Sequence, residues 1–370
     1  MKKTRIFAVI IGALLISCLF AGAAFADGSL KIGATGPLTG DASSYGISVQ
    51  QGAQLAIEEI NAAGGVNGYE LEFNIIDDKA AAAEATTAFG QLMDWGMQAS
   101  LGSVPSGSCE AFGARAAQYH VFFITPSASA ASVIATGDTA FRVCFGDPDQ
   151  GVLAARELTE RFDKIGCIYD TSDTYSSGIY AAFVEEMNKI GADFETFTFD
   201  ADNKKSFAAQ VEALKDCQVI FCPFYYTEAS LVAKECSSSG HGDILLFGCD
   251  GFDGLAPLLD DTVSNPIEYI TPFDVESETE LTSNFVGAYN AKYETLPDQF
   301  AADGYDCVYI IKSLLETAGV EDPSIGFSEL TDILVSTITS EDFSYDGVTG
   351  SMVWDASGAC TKTPVIVVLN

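Results

Sequence analysis

The feature that most restricts the fold is a strand–helix alternation that runs through two full cycles. Residues 30–35 read as a strand. Residues 46–63 read as an amphipathic helix, with Val49, Ala53, Ala56, Ile57 and Ile60 on one stripe and Gly64-Gly65 at its end. Strand 71–77, helix 80–98, the short buried strand 99–102, helix 107–119 and strand 121–125 continue the series. After 141–143 and the turn-rich Gly146-Asp147-Pro148-Asp149, a second cycle begins with helix 150–162 and strand 164–169. Helix 177–190, strand 193–199, helix 206–215, strand 218–222, helix 228–238 and strand 244–248 complete it. Such alternation implies parallel sheets with helices on both faces, an α/β architecture. Strand 267–271 leads into helices 278–293, 301–317 and 327–338, and residues 352–354 and 365–369 return to strand. At 370 residues the chain exceeds the roughly 250–300 that one core sustains, so two domains are expected.

Open α/β sheets bind ligands beyond the carboxyl ends of their strands, at topological switch points. The loops to inspect are 36–46, 103–108, 126–132, 171–177, 223–227 and 249–253. They carry Tyr45, Ser103, Ser106, Ser108, Ser127, Ser129, Tyr175, Tyr225 and Asp250, and no lysine, arginine or histidine. Hydroxyls together with helix N-terminal amides suit a carboxylate. The carboxylate of Asp250 suits an ammonium. Phe224, Tyr226 and Phe252 stand ready to line an apolar or aromatic pocket. The set describes a receptor for a zwitterionic α-amino acid.

Each residue alone also has a plainer reading. Ser106 before a helix is a common N-cap, and Ser127 and Ser129 after Thr125-Pro126 are common turn residues. Asp250-Gly251 is a frequent turn pair, and Tyr45 and Tyr225 would serve to cover a core. What joins them is that all fall on strand-end loops.

Charge and motifs exclude other classes. With 18 basic against 52 acidic residues the net charge is −34, which repels nucleic acid and anionic lipid. A zwitterion is not penalised. Gly33-Ala34-Thr35-Gly36-Pro37 lacks dinucleotide-binding glycine spacing, and there is no phosphate-loop lysine motif or nucleophile elbow. Cys109 has no evident histidine partner, and His120 and His241 are too few for a histidine metal site. The chain is therefore expected to be non-enzymatic, with neither cofactor nor metal. Its cysteines show no metal-ligand spacing. Cys144, Cys167, Cys222 and Cys307 lie in apolar runs, where a small buried hydrophobe is expected. Disulfide connectivity stays open.

At the N-terminus, Lys2, Lys3 and Arg5 precede an apolar stretch from Ile6 to Ala24. Ala24-Phe25-Ala26 carries small residues at the positions a signal peptidase reads, so export with removal of residues 1–26 is expected. Two alternatives stay open. One is a membrane anchor, since about 18 apolar residues can span a bilayer. The other is a lipoprotein processed at Cys18, after Leu15-Ile16-Ser17.

Several longer motifs carry a resemblance. Lys31-Ile32-Gly33-Ala34-Thr35-Gly36-Pro37-Leu38-Thr39-Gly40, Ser44-Tyr45-Gly46, Gln51-Gly52-Ala53 and the run from Ile60 to Gly68 are among them. Ile76-Asp77-Asp78, Ile124-Thr125-Pro126-Ser127-Ala128-Ser129 and Asp149-Gln150-Gly151 complete the set. With these the mature chain resembles the type I periplasmic binding proteins of branched-chain amino-acid ABC transporters. The resemblance implies two Rossmann-like lobes, residues 27–145 with 273–347 and residues 146–272 with 348–370. It places three hinge crossovers near Phe145, Pro272 and residues 347–350. It implies a monomer that binds an amino acid and delivers it to a membrane permease, outside the cytoplasmic membrane. Ser106, Ser127 and Ser129 would hold the carboxylate, Asp250 the ammonium, and Tyr45, Tyr175 and Tyr225 would close over the ligand. The chain departs from its relatives in three places: many carry glutamate at the position of Asp250, some carry a disulfide where Ala80 and Pro105 stand, and Ser176 replaces a glycine. Branched-chain, aromatic and other apolar ligands stay open, as do an extracellular sensor domain and a secreted α/β enzyme.

Overall fold

A computed structural model describes residues 28–369; the leader and Cys18 lie outside the described residues. The first cycle is β1 (Ser29–Gly36), α1 (Ser43–Ala62), β2 (Glu70–Asp77), α2 (Ala82–Trp95), β3 (Ala99–Ser100), α3 (Ser106–Tyr119), β4 (Phe123–Thr125), α4 (Ala131–Ile134) and β5 (Ala140–Arg142). Its five strands form one sheet in the order β2-β1-β3-β4-β5, and every pair is parallel. β1 is almost wholly buried, as expected of an inner parallel strand covered on both faces, whereas the edge strand β2 is partly exposed.

The second cycle is α5 (Asp147–Arg161), β6 (Ile165–Asp170), α6 (Thr174–Ile190), β7 (Glu195–Phe199), α7 (Ala208–Ala213), β8 (Val219–Cys222), α8 (Tyr226–Ser238), β9 (Leu245–Gly248) and β10 (Ile267–Thr271). The helices α9 (Glu280–Tyr293), α10 (Gln299–Thr317) and α11 (Phe327–Ile338) follow, then the hairpin β11 (Tyr345–Gly347) and β12 (Gly350–Met352), and finally β13 (Val365–Val368). The second sheet runs β13-β10-β9-β8-β6-β7, parallel except for β13 against β10.

The three helices beyond β10 return to the first sheet. Phe285, Tyr289, Ile310, Leu314, Leu330 and Leu334 share one apolar cluster with Ile32, Leu71 and Ile124. α10 lies so close to α1 that a Cβ at Gly52 would stand 1.9 Å from the Ala301 carbonyl oxygen, which is why only glycine fits there. The chain therefore passes between the two sheet-centred bodies after β5, after β10 and before β13. Val348, Met352 and Trp354 still pack in the first cluster, so the third passage comes after them.

The parallel α/β pattern read from the sequence holds, and the differences lie at element ends. α5 begins at Asp147 rather than 150, because the Asp149 carboxylate accepts the Gly146 amide at 3.0 Å and Pro148 fits a first turn whose amides need no acceptor. Of residues 352–354, expected as strand, only Met352 is in one, at the end of β12 in a small two-stranded hairpin, and Trp354 makes an isolated bridge to Cys360. All nine described cysteines are free, and eight of them are buried. Burial pushes the Cys109 thiol up to about 12, so it carries no thiolate near neutral pH.

Candidate functional site

The carboxyl ends of both sheets face each other, and the strand-end loops meet there. A small cavity of about 10 Å³ is lined by Tyr45, Val104, Pro105, Ser106, Ser127, Tyr175, Tyr225, Asp250, Gly251 and Phe300. Six of the seven residues to which the resemblance gave a ligand role thus share one site. Ser129, the seventh, is buried just beside it.

One side of the site is rich in donors. Ser106 is the first residue of α3, and Pro105 holds the N-cap position without a side-chain cap, so the N-cap reading of Ser106 does not apply. The first-turn amides of α3 have no intrahelical acceptor. The Ser106 hydroxyl accepts the Ala130 amide at 3.2 Å, and the Ser127 hydroxyl donates to the Val104 carbonyl at 3.0 Å. Ser103 and Ser108 bond to each other at 2.8 Å, and Ser103 also holds the buried Asp78 carboxylate. Those two serines are committed to structure beneath the site.

The other side carries a buried carboxylate. Asp250 opens a single helical turn after β9 and is 4% exposed. Its Oδ1 accepts the Tyr175 hydroxyl at 2.7 Å and the Gln150 side-chain amide at 2.9 Å. Its backbone N–H donates to Gln150 Oε1 at 3.0 Å, and its carbonyl accepts from the Gln299 side chain. Burial pushes its carboxyl up to about 6, against the pull of the Tyr175 and Gln150 bonds.

The tyrosines tie the halves together. The Tyr45 hydroxyl donates to the Gly251 carbonyl at 2.5 Å and accepts the Tyr226 amide at 3.3 Å. Tyr175 also accepts the Gly251 amide at 2.9 Å. Tyr225 stacks on Tyr175 with ring centres 4.9 Å apart, and Phe300 stacks on Tyr45 at 4.1 Å. The Tyr225 hydroxyl is buried and has no hydrogen-bond partner.

Sequence reasoning missed the most unusual group. Asp147 is 1% exposed, and neither of its carboxylate oxygens has a hydrogen-bond partner. Its backbone N–H donates to the Ser129 carbonyl at 3.0 Å, which also accepts from Arg142. The Ser129 hydroxyl lies near enough to oppose the rise in the Asp147 carboxyl, yet its geometry falls short of a hydrogen bond. Burial, then the nearby Asp250 charge, hold that carboxyl well above the usual range. A Cβ at Gly178 would lie 2.7 Å from Asp147 Oδ2, so the glycine lets α6 press the carboxylate inward. The sequence signal was there, in Gly146-Asp147-Pro148-Asp149, but it reads as a turn. Gln150 stood out only within the Asp149-Gln150-Gly151 motif, with no role at a site, and Gln299 and Phe300 gave no signal at all.

Of the three aromatic residues expected to line a side-chain pocket, only Phe224 does. It faces an adjoining cleft of about 350 Å³, while Tyr226 and Phe252 do not border either space. Both are packed into the apolar cluster beneath the second sheet. Among the described residues no group of three or more His, Cys, Asp or Glu side chains is placed to hold a metal ion, and no helix is long and apolar enough to cross a membrane.

A site of this kind, buried between two parallel sheets joined by several chain passages, is that of a solute receptor. A family model described as periplasmic binding protein matches residues 29–367, and the chain belongs to that family. Among curated relatives, a Leu/Ile/Val-binding protein homologue of Brucella melitensis is 28% identical, covering 82% of this chain and 83% of its own. A leucine-, isoleucine-, valine-, threonine- and alanine-binding protein of Pseudomonas aeruginosa is also 28% identical, over 82% of each chain. A branched-chain amino acid transporter substrate-binding protein of Streptococcus pneumoniae, solved in complex with isoleucine, superposes with a TM-score of 0.77. It is 27% identical and covers 91% of this chain and 100% of its own.

Proposed function

We propose that this chain is the extracytoplasmic receptor of an ABC importer, binds one free α-amino acid in the cleft between its lobes, and delivers it to a membrane permease without chemical turnover. The observation that carries the reading is the pairing of opposite sides in one site. The α3 amides with Ser106 and Ser127 offer donors to a carboxylate. Asp250 offers negative charge to an ammonium, and the buried, unpartnered carboxyl of Asp147 offers further acceptors close by. Ser129 belongs to this head-group set through its contact with the Asp147 backbone. The curated relatives named for leucine, isoleucine and valine support the substrate class.

A cavity of about 10 Å³ holds roughly one water, so the head group enters only when the two walls part. Tyr45 on one side and Gly251 on the other then re-form their bond over the ligand, with the hinge at the three chain passages. The protein acts as a monomer in this reading, after export and either removal of residues 1–26 or lipoprotein processing at Cys18. A thermal-shift screen of the twenty amino acids tests it. A small group of them should raise the melting temperature in a concentration-dependent way, since a ligand that binds only the native state stabilises it by mass action. A screen in which none of them does so at millimolar concentration would overturn the proposal.

A further inference from the structure

The 350 Å³ cleft adjoins the head-group cavity, and the two share Pro105 and Tyr225 as a common wall. It is where a side chain would project from an amino acid seated in the head site. Its volume equals that of roughly a dozen liquid waters, which the four side-chain carbons of a leucine fill only in part. Phe199, Phe224 and Tyr225 give the cleft an apolar share of its lining. Much of the rest is acidic.

Asp170, Asp173, Glu228 and Asp41 all border the cleft, against Lys79 and Lys204. Lys204 is already held by Glu228 at 3.0 Å and Asp41 at 3.4 Å. Lys79 is exposed at the rim. Asp173 caps α6 through one oxygen, which accepts the Ser176 amide at 2.9 Å, and its other oxygen accepts nothing. Glu228, 6% exposed, pairs with Lys204 through Oε1 and leaves Oε2 without a partner. With the Tyr225 hydroxyl, also buried and unpartnered, the outer cleft offers several acceptors and no free buried donor cation. Burial first, and then the charges of Asp170 and Glu228, push the Asp173 carboxyl up to about 6 against the pull of the Ser176 amide.

We infer that this cleft selects amino acids whose side chain is long, apolar along its stem and cationic at its end, lysine and ornithine ahead of uncharged chains of similar length. The inference rests on the amino-acid reading of the head site. The stem lies along Phe199 and Phe224, and the ammonium reaches the free oxygens of Asp173 and Glu228.

Isothermal titration of the purified protein with L-lysine, L-ornithine and L-norleucine tests it. Lysine should bind at least about tenfold more tightly than norleucine, which has the same stem without the charge. Asp173→Asn keeps the helix cap, so the fold is retained, and it should narrow that ratio by about threefold or more; Glu228→Gln should narrow it likewise. Norleucine or leucine binding as tightly as lysine would overturn the selectivity while leaving the head-site reading intact. So would a lysine-to-norleucine ratio unchanged in both variants. Failure of every free amino acid to bind would overturn the head-site reading and this inference with it.

Discussion

Asp250→Asn is expected to weaken amino-acid binding by about 2–5 kcal/mol, because it leaves the ligand's ammonium buried without its nearest counter-charge. The structure sharpens what should happen to the empty protein. Both hydrogen bonds to the Asp250 side chain, from Tyr175 and from Gln150, land on Oδ1, and an asparagine keeps an oxygen there. The carboxyl is pushed up to about 6, so above that pH the ionised form is a cost to the folded state. The unliganded variant should therefore melt at the same temperature as the parent or slightly higher at pH 7.5. A residue that serves only its turn would behave the other way, with binding intact and stability reduced. Calorimetric titration and melting of the one variant separate the two.

Lys362→Met should cost about 3–5 kcal/mol of stability at pH 8, the loss that follows when one partner of a buried ion pair is removed. The Lys362 side chain is 1% exposed and bonds the Asp303 carboxylate at 3.1 Å, the Val143 carbonyl at 2.7 Å and the Thr349 hydroxyl. Asp306, three residues and about one turn beyond Asp303 on the same helix, accepts the amides of Val348 at 2.9 Å and Thr349 at 3.0 Å. Lys362 thus pins the first chain passage to the third, with α10 between them. Burial holds Asp303 at about 7 even with Lys362 beside it, and the variant would raise it further.

The pH dependence follows from that sign. A carboxyl whose folded pKa lies above its unfolded value contributes stability at low pH and loses it as pH rises through the folded pKa. Asp303 in Lys362→Met is neutral at pH 5.5 and must either ionise or hold its proton at a cost at pH 8. The gap between parent and variant should be largest at pH 8 and shrink toward pH 5.5. Urea unfolding of both proteins at the two pH values measures it, and a gap independent of pH would show that the ion pair is not what the lysine supplies.

The fold was legible because parallel strands and their covering helices each write a period into the sequence, as in β1 with α1 or β8 with α8. Six of the site residues were legible for a related reason: strand ends are where such sheets place ligands, and Tyr45, Ser106, Ser127, Tyr175, Tyr225 and Asp250 all sit there. What stayed hidden depends on contacts between segments far apart in the chain. Gln150 and Gln299 reach Asp250 across 100 and 49 residues of sequence, and nothing local marks a glutamine for such a role. Asp147 was concealed by its neighbours, since Gly146 and Pro148 write a turn and a helix start with the same letters. Tyr226 and Phe252 misled in the opposite sense. They lie on or beside strand-end loops, but Tyr226 begins a helix and Phe252 folds back over Gly248, so both rings face the core.

The central claim is that the cleft grips both charges of a free α-amino acid. Calorimetric titration should therefore use the amino acid that raises the melting temperature most, beside its analogues lacking the α-ammonium and lacking the α-carboxylate. Each truncation should weaken binding by about 2 kcal/mol or more, roughly thirtyfold in Kd, because one leaves the Asp250 carboxylate unmatched and the other leaves the hydroxyl and amide donors unmatched. An analogue without the ammonium that binds within about threefold of the parent would contradict the role given to Asp250 and Asp147, and one without the carboxylate would do the same for Ser106, Ser127 and the α3 amides.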